Sequence, residues 1–596
     1  MINHSPGVPC LISQHTQRTQ SLLSPLVQRA RVAFTPQMGA FVSSHAPPPP
    51  SPPPLSMATD AARNAVLALT FERLLLIILL QHVLREMLSC WRREGLVGLY
   101  KHVVGGAFAF ASAVVPGVAS TVAKEVDAVL AGLEKDLHGD GDLHALLEIP
   151  RKGWSSDEVE RKACALLDAE VAKANGKKWA GIYHAGGSEL SRLQGRVWSA
   201  FVDTNTLYPT VFPSLRKFEA EIVSMTLSIV HGHEVGACGL LASGGSEAIL
   251  LAALAYREFA RVRGMNGKPQ IICSLSAHPA LLKACHYFGI ELIKVAIEPE
   301  TMQLRAAAVA QHITPRTVAI YASAPSFSHG VVDPIEELGA LAVSRNIGLH
   351  VDNCLGGYLL SYMQREGLYS APFDFAVRGV TSMSVDVHKY GCANKGASVA
   401  CFRDPALRRA TYVPSAEGCE GLYVTPTLQG SRSGATIAAA WATIVHLGDD
   451  GYARMARDIT ACHTKIKANV RAMAPLRLCC DADATVVPIC SDGINVYALA
   501  SLLEERGWGV FTGQKPPTLT IPVGEQTPAY VDDLLADLRE CLAYLIAHPE
   551  CKASGNAAVY GAAAKMPSEL LETILRGYVD IKMSVKPAQD AVHLAP

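Results

Sequence analysis

The sequence predicts an α/β protein built on a large, mostly parallel sheet, followed by a smaller α/β domain. Three observations carry this. From about residue 240 to 403, short apolar runs alternate with helical patterns. The runs are nearly continuous in apolar residues, as strands covered on both faces require. Chemistry-bearing residues fall at the ends of those runs, where open α/β sheets bind ligands.

The elements follow in order. "QIICSL" (270–275) predicts a strand and "PALLKACHYFG" (279–289) a helix. "ELIKVA" (291–296) is a strand, with a helix near 303–312. "TVAIYAS" (317–323), "IGLHVD" (347–352), "VTSMSVDV" (380–387) and "ASVACF" (397–402) are strands, and "PIEELGALAVSRN" (334–346) is a helix. Length and β-branched content separate the strands from the helices. Beyond residue 440 come a long helix after Gly451, strand-like "ATVVPI" (484–489), helical "NVYALASLLEERG" and strand-like "PTLTIPV" (517–523). No internal repeat is evident.

The chain has 596 residues, 49% hydrophobic and 18% charged, which exceeds one ordinary domain of ~100–200 residues. We divide it into a disordered or targeting extension (1–59), a membrane anchor with its juxtamembrane segment (60–123), a helical segment (124–239), the large domain (240–440), and a small domain with tail (441–596). A net charge of -1 gives no bulk attraction to nucleic acid. The 16 cysteines show no zinc-finger spacing and no repeated CxxC, so no metal is expected. They read as reduced, packed thiols in a cytosol-facing compartment.

Residues 1–59 contain no Asp or Glu and include the run "PPPPSPPP". Such a segment cannot bury a core. Its Arg and Ser content matches a mitochondrial transit peptide; the favoured alternative is an extension ahead of a start at Met57. "AVLALTFERLLLIILLQHVL" (65–84) is apolar apart from Glu72 and Arg73. "VVGGAFAFASAVVPGVASTVA" (103–123) has 21 residues without a charge, long enough to span a bilayer, though diluted by Ala, Ser, Gly and Pro116. Arg85, Arg92, Arg93 and Lys101 lie between them. The positive-inside rule places that linker in the cytosol. One span, the first, with the second stretch packing or lying at the interface, is the reading adopted; a buried helical hairpin competes with it.

Five residue groups carry candidate chemistry. Gly244, Gly245 and Ser246 open a helix whose free N–H groups suit a phosphate. His278 ends a strand, where an imidazole can stack on a flat ring. Asp352 ends a buried strand and needs a partner there; a protonated ring nitrogen would serve. Cys354 lies two residues on. Lys389 follows His388 in "SVDVHKYGCANKG", and Lys395 follows six residues later. Each alone reads as readily as capping, packing or a solvated loop. Together and in this order they describe a pyridoxal phosphate site: phosphate cradle, ring stacker, carboxylate for the ring nitrogen, and amine for the aldehyde.

The motifs then become specific. "NTLYPTVFPSLRKFEAEIV", "SGGSEA", "SAPSFSHGVVDPI", "HVDNCLGG", "DVHKYGCANKG" and "YVTPTLQGSRSG" resemble, in order, those of the sphingosine-1-phosphate lyase family, within the group II decarboxylase-like enzymes of pyridoxal phosphate fold type I. The resemblance covers roughly residues 60–580. It implies that Lys389 binds the cofactor covalently and that Lys395 helps hold the substrate's phosphate. It also implies that Tyr183 lies near the reacting hydroxyl and that Asn205, Tyr208 and Tyr423 line the substrate cavity. The implied reaction is a retro-aldol cleavage of a phosphorylated sphingoid base to a long-chain aldehyde and phosphoethanolamine. The base is Tyr183 or the freed Lys389. The implied setting is a homodimer with shared sites, anchored in the endoplasmic reticulum membrane and facing the cytosol, the mitochondrion being the alternative. Three positions depart from the family: Tyr208 replaces a histidine, Thr210 an aspartate and Ser433 a proline. An amino-acid decarboxylase on the same fold is the second hypothesis, although those enzymes usually read "HKW". A scaffold without turnover is the third.

Overall fold

The computed structural model describes residues 118–138, 146–175, 188–419, 421–554 and 568–585, with 557 and 566. The readings for 1–59, for 65–84, for most of 103–123 and for Tyr183 therefore lie outside the described residues. Among those described, no helix is long and apolar enough to cross a membrane. The chain divides into two compact units, Pro150–Met566, and Met1–Ile149 with Pro567–Pro596.

The strands of the larger unit are β1 (Cys238–Ala242), β2 (Gln270–Ser274), β3 (Glu291–Val295), β4 (Thr317–Ser323), β5 (Gly348–Asp352), β6 (Ser382–Asp386), β7 (Ser398–Phe402), β8 (Leu476–Leu478), β9 (Val486–Ser491), β10 (Phe511–Gln514) and β11 (Pro517–Pro522). The α-helices among the described residues are α1 (Val118–His138), α2 (Ser156–Asn175), α3 (Ser188–Ala200), α4 (Pro213–Ile229), α5 (Gly245–Val262), α6 (Pro279–Phe288), α7 (Ala306–Ala310), α8 (Ile335–Arg345), α9 (Gly357–Arg365), α10 (Pro405–Arg409), α11 (Gly434–Arg471), α12 (Val496–Glu505), α13 (Thr527–Ala547) and α14 (Ser568–Lys582).

Seven strands form one sheet in the order β1-β7-β6-β5-β4-β2-β3. Only β7 runs against the others. The cause is local. Parallel neighbours need a crossover, usually helical, whereas residues 387–397 between β6 and β7 contain no helix and return as an antiparallel pair. Both faces are covered, as the apolar runs require. Ala400 and Phe402 of β7 pack with α5 residues such as Ile249. The alternate residues Val399 and Cys401 join Val351, Val385 and Leu359 in the other core. This is the period of two expected of a strand buried on both faces.

The second sheet is antiparallel, in the order β10-β11-β9-β8. Each strand and helix read from the sequence between 270 and 402 is present within three residues of its expected ends. Three strands were not expected. β8 and β10 are only three and four residues long, too short for periodicity to register, and β1, "CGLLA", contains a glycine and no β-branched residue. The helix expected after Gly451 starts earlier, at Gly434, and is interrupted at Gly448, whose φ of 60° leaves the helical region.

In the smaller unit α1 packs on α14. Val126 and Ile574 are buried, and His138 Nε2 donates to the Ile581 carbonyl at 3.1 Å. A Cβ at Gly577 would stand 2.7 Å from the Leu130 methyls, so glycine permits the close approach.

Candidate active site

The carboxyl ends of the central strands converge on a cavity of about 210 Å³. Asp352 closes β5 and Asp386 closes β6. Gly245 and Ser246 open α5 after β1, and His278 precedes α6 after β2. All four groups line the cavity with Cys354, His388 and Lys389. Seven residues singled out in the sequence thus share one space: Gly245, Ser246, His278, Asp352, Cys354, His388 and Lys389.

The loop carrying Lys389 is tightly determined. The N–H groups of Val387 and His388 both donate to the Ala397 carbonyl, at 3.1 and 3.2 Å, and Ala393 N–H donates back to the Val387 carbonyl at 3.1 Å. A Cβ at Gly391 would fall 2.4 Å from that same carbonyl oxygen, so the turn admits only glycine. Tyr390 OH donates to the Val523 carbonyl at 2.7 Å, tying the loop to the end of β11. The Lys389 Nζ is thereby held 2.9 Å from Asp386 Oδ2. Ser398 Oγ donates to the other carboxylate oxygen at 2.6 Å, and His388 Nε2 lies 3.5 Å from Oδ2.

Asp352 is buried. Tyr321 OH donates to its Oδ2, and Cys354 N–H and Ser384 Oγ donate to Oδ1 at 3.1 and 3.3 Å. Burial pushes its carboxyl up; His278, the Tyr321 hydroxyl, Lys389 and His350 pull it down, and the net position lies below the ordinary range. Asp352 is therefore an anion at neutral pH. His350, behind it, is pushed by burial down to about 4 and is neutral. It stacks on Tyr321 with ring centres 5.2 Å apart.

His278 caps α6, its Nδ1 accepting from Ala280 N–H at 3.1 Å. Gly244 supplies no side-chain cap to α5. The first N–H groups of α5 thus face the cavity without a side-chain acceptor from the cap residue. A Cβ at Gly245 would meet Asp386 Oδ1 at 2.7 Å and Cys354 Sγ at 2.8 Å, so glycine lets the helix start this close to the carboxylate. Burial holds the Cys354 thiol far above its usual value, which makes it a packing group.

The substrate residues implied by resemblance lie elsewhere. Lys395, on the return arm of the lysine loop, donates from Nζ to the His388 carbonyl at 3.1 Å. Lys395 is exposed, and partial desolvation lowers its pKa, with Lys389 adding to the effect and Cys392 and Asp386 opposing it. Asn205 binds the "GSRSG" loop: its Oδ1 accepts from Arg432 N–H at 3.2 Å and its Nδ2 donates to Ser431 Oγ at 3.0 Å. Tyr208 and Tyr423 are exposed. None of these four lines the cavity.

Sequence reasoning missed Asp386, Tyr321 and Glu247. The signal for Asp386 was present, since a carboxylate ending a buried strand is the pattern that singled out Asp352. Glu247 is buried; it accepts from Ser243 N–H at 2.6 Å and Leu428 N–H at 3.0 Å, joining the end of β1 to the 423–433 loop. Partners so distant in sequence leave no local pattern.

Residues 148–490 match the profile of the pyridoxal-dependent decarboxylase conserved domain. The chain is 36% identical over 444 residues to the sphingosine-1-phosphate lyase of Arabidopsis thaliana, covering 72% of this chain and 80% of that protein. It is 34% identical over 484 residues to the lyase of Saccharomyces cerevisiae, covering 80% and 82%. The solved structure of the Burkholderia pseudomallei sphingosine-1-phosphate lyase superposes with a TM-score of 0.67 at 33% identity, covering 74% of this chain and 98% of that one. The cavity fits pyridoxal phosphate by its own chemistry: an amine for the aldehyde, an ionised buried carboxylate for the ring nitrogen, and helix-start N–H groups for the phosphate. The chain belongs to the sphingosine-1-phosphate lyase family of pyridoxal-dependent enzymes.

Proposed function

We propose that the protein cleaves phosphorylated sphingoid bases between C2 and C3, giving a long-chain aldehyde and phosphoethanolamine. The observation that carries this reading is the convergence of Lys389 and Asp352 on one cavity, with Lys395 on the same loop. Lys389, Asp352, His278 and Gly245–Ser246 line that cavity and would hold pyridoxal phosphate, which when bound would supply an electron sink for the breaking bond.

The chain's own residues do the rest. Asp352, kept ionised, would keep a proton on a ring nitrogen placed beside it. Asp386, 2.9 Å from Lys389 Nζ, would keep that amine in place beside the substrate. That Nζ, or the Tyr183 hydroxyl, takes the proton from the C3 hydroxyl. Lys395 brings positive charge to the substrate's phosphate, a charge-assisted contact.

The dimer and the membrane belong to this proposal. Val413, Leu422, Val424 and Leu428 are exposed on the loop that carries Tyr423. An apolar, exposed loop beside Asn205 and "GSRSG" supports a homodimer in which Tyr423 serves the partner's site. The apolar stretches 65–84 and 103–123 support attachment to the endoplasmic reticulum membrane with the catalytic part in the cytosol.

The test is product analysis with a phosphorylated sphingoid base. Wild-type protein releases aldehyde and phosphoethanolamine, while Lys389→Ala releases neither and loses the visible absorbance of bound cofactor. Release of carbon dioxide from amino acids instead would identify a decarboxylase.

A further inference from the structure

A second cleft, of about 320 Å³, lies at the opposite end of the same strands. Thr317 opens β4, Gly348 opens β5 and Thr381 precedes β6, and all three line it. The carboxyl ends of these strands carry Ser323, Asp352 and Asp386. At ~3.3 Å per residue along β5, the cleft is roughly 13 Å from Asp352.

Its walls are apolar: Phe259, Ala260, Met265, Val318, Ile347 and Leu407. Most of its polar atoms are already committed. Tyr256 OH is hydrogen-bonded to Thr381 Oγ1 at 2.7 Å and Ser382 Oγ at 2.6 Å. Arg403 donates to the carbonyls of Val380, Phe375 and Val377 at 2.6, 2.6 and 2.9 Å. Asp404 Oδ1 caps α10, accepting from Ala406 N–H at 2.7 Å. Arg263 differs. It is exposed, its guanidinium stacks 4.3 Å from the Phe259 ring centre, and no carboxylate among the described residues pairs with it.

An apolar trough with one available cation at its rim suits a single-chain amphiphile with an anionic head. Binding pockets for drug-sized ligands span about 300–1,000 Å³. This cleft is at the small end, which fits one short alkyl chain and excludes a two-chain lipid. Asp404, also in the lining, repels a dianion such as a phosphate monoester about twice as strongly as a monoanion, so one guanidinium at Arg263 favours the monoanion. A guanidinium also matches a carboxylate in a two-point geometry. We propose that this cleft binds a medium-chain carboxylate, its tail along Phe259, Ala260 and Val318 and its head at Arg263.

Calorimetric titration of the full-length holoenzyme with decanoate tests this. One saturable site is expected. Arg263→Glu, a surface change, should weaken decanoate about tenfold or more and leave decanol unchanged. Ala260→Phe, which fills the trough, should abolish both. Binding should persist when a 3-deoxy phosphorylated sphingoid base is present, which lacks the C3 hydroxyl and is not cleaved. Displacement by that base assigns the decanoate to the Lys389 cavity and overturns the proposal. So does equal decanoate affinity in wild type and Arg263→Glu. No binding at all, with a change of molecular mass in Arg263→Glu, assigns the cleft to contact between copies of the chain and overturns it as well.

Discussion

Lys389 Nζ and Asp386 Oδ2 lie 2.9 Å apart at the end of β6, both largely withdrawn from solvent. Asp386 ends the strand and Lys389 sits in the turn after it, so one backbone segment delivers the charge pair. Ser398, opposite Asp386 in the β6–β7 register, completes the carboxylate's contacts. The short antiparallel return of β7 is thus part of the site: it brings Ser398 and the Ala397 carbonyl to the lysine turn.

Asp386→Asn should keep the fold and cripple turnover. The amide preserves volume but removes the anion beside Nζ. Breaking one side of a buried charge pair typically costs about 2–5 kcal/mol, so a loss of about 30-fold or more in kcat is expected. Circular dichroism and cofactor absorbance report whether the protein remains folded and loaded. Turnover near wild type would reduce Asp386 to a packing group.

Asp352→Asn tests the buried carboxylate through pH. Burial raises its pKa, but His278, Tyr321, Lys389 and His350 outweigh that, leaving it depressed. A depressed carboxyl contributes stability that is present above its unfolded value of about 3.9 and is lost as pH falls through the folded value. The difference in Tm between wild type and Asp352→Asn should therefore be flat from about pH 5 to 8 and shrink below about pH 4. Activity should fall about 100-fold or more across the neutral window, since a preorganised charge is lost. A difference in Tm that changes between pH 5 and 8 would mean that Asp352 is not a standing anion.

The fold and the cofactor side of the site were legible because their signals are local. Strands buried on both faces write themselves as apolar runs, and Asp352, His278 and Lys389 fall at the ends of such runs or just beyond them. Gly245 was visible as a glycine pair before a helix. What stayed hidden depends on pairing in space. Tyr321 reads as one more apolar strand residue until its hydroxyl meets Asp352 from the neighbouring strand. Glu247 reads as an ordinary first-turn acid until Leu428 arrives from 181 positions away. β8 and β10 are strands only because β9 and β11 hold them.

Removing residues 1–117 should leave an active enzyme, because the lining of the Lys389 cavity begins at Gly245. Removing residues 1–138 is different. It strips α1 from α14 and uncovers Ile574, a buried side chain whose exposure costs roughly 1.5–3 kcal/mol. Limited proteolysis should then cut within 568–585 in the longer deletion and spare it in the shorter one. Equal resistance of the two proteins would show that the α1–α14 contact contributes little.

Lys395 decides whether the lysine loop has one task or two. Its Nζ donates to the His388 carbonyl, and partial desolvation lowers its pKa from the ordinary lysine value. A lysine so shifted loses its charge at lower pH than usual, while a bound phosphate would restore it. The advantage of a phosphorylated sphingoid base over the plain base should therefore decline on the alkaline side before an ordinary lysine would titrate. Lys395→Arg should extend that limb upward, because a guanidinium stays charged. Lys395→Ala should retain the cofactor and lose most activity on the phosphorylated substrate, with a far smaller loss on the plain one. Tyr208→His adds a cation on an exposed segment and should favour the phosphorylated substrate most below about pH 6.5. The measurement is kcat/KM for both substrates in each variant across pH. If Lys395→Ala reduces the two substrates equally, its ammonium only braces the loop through the His388 carbonyl, and phosphate recognition must be sought in other residues.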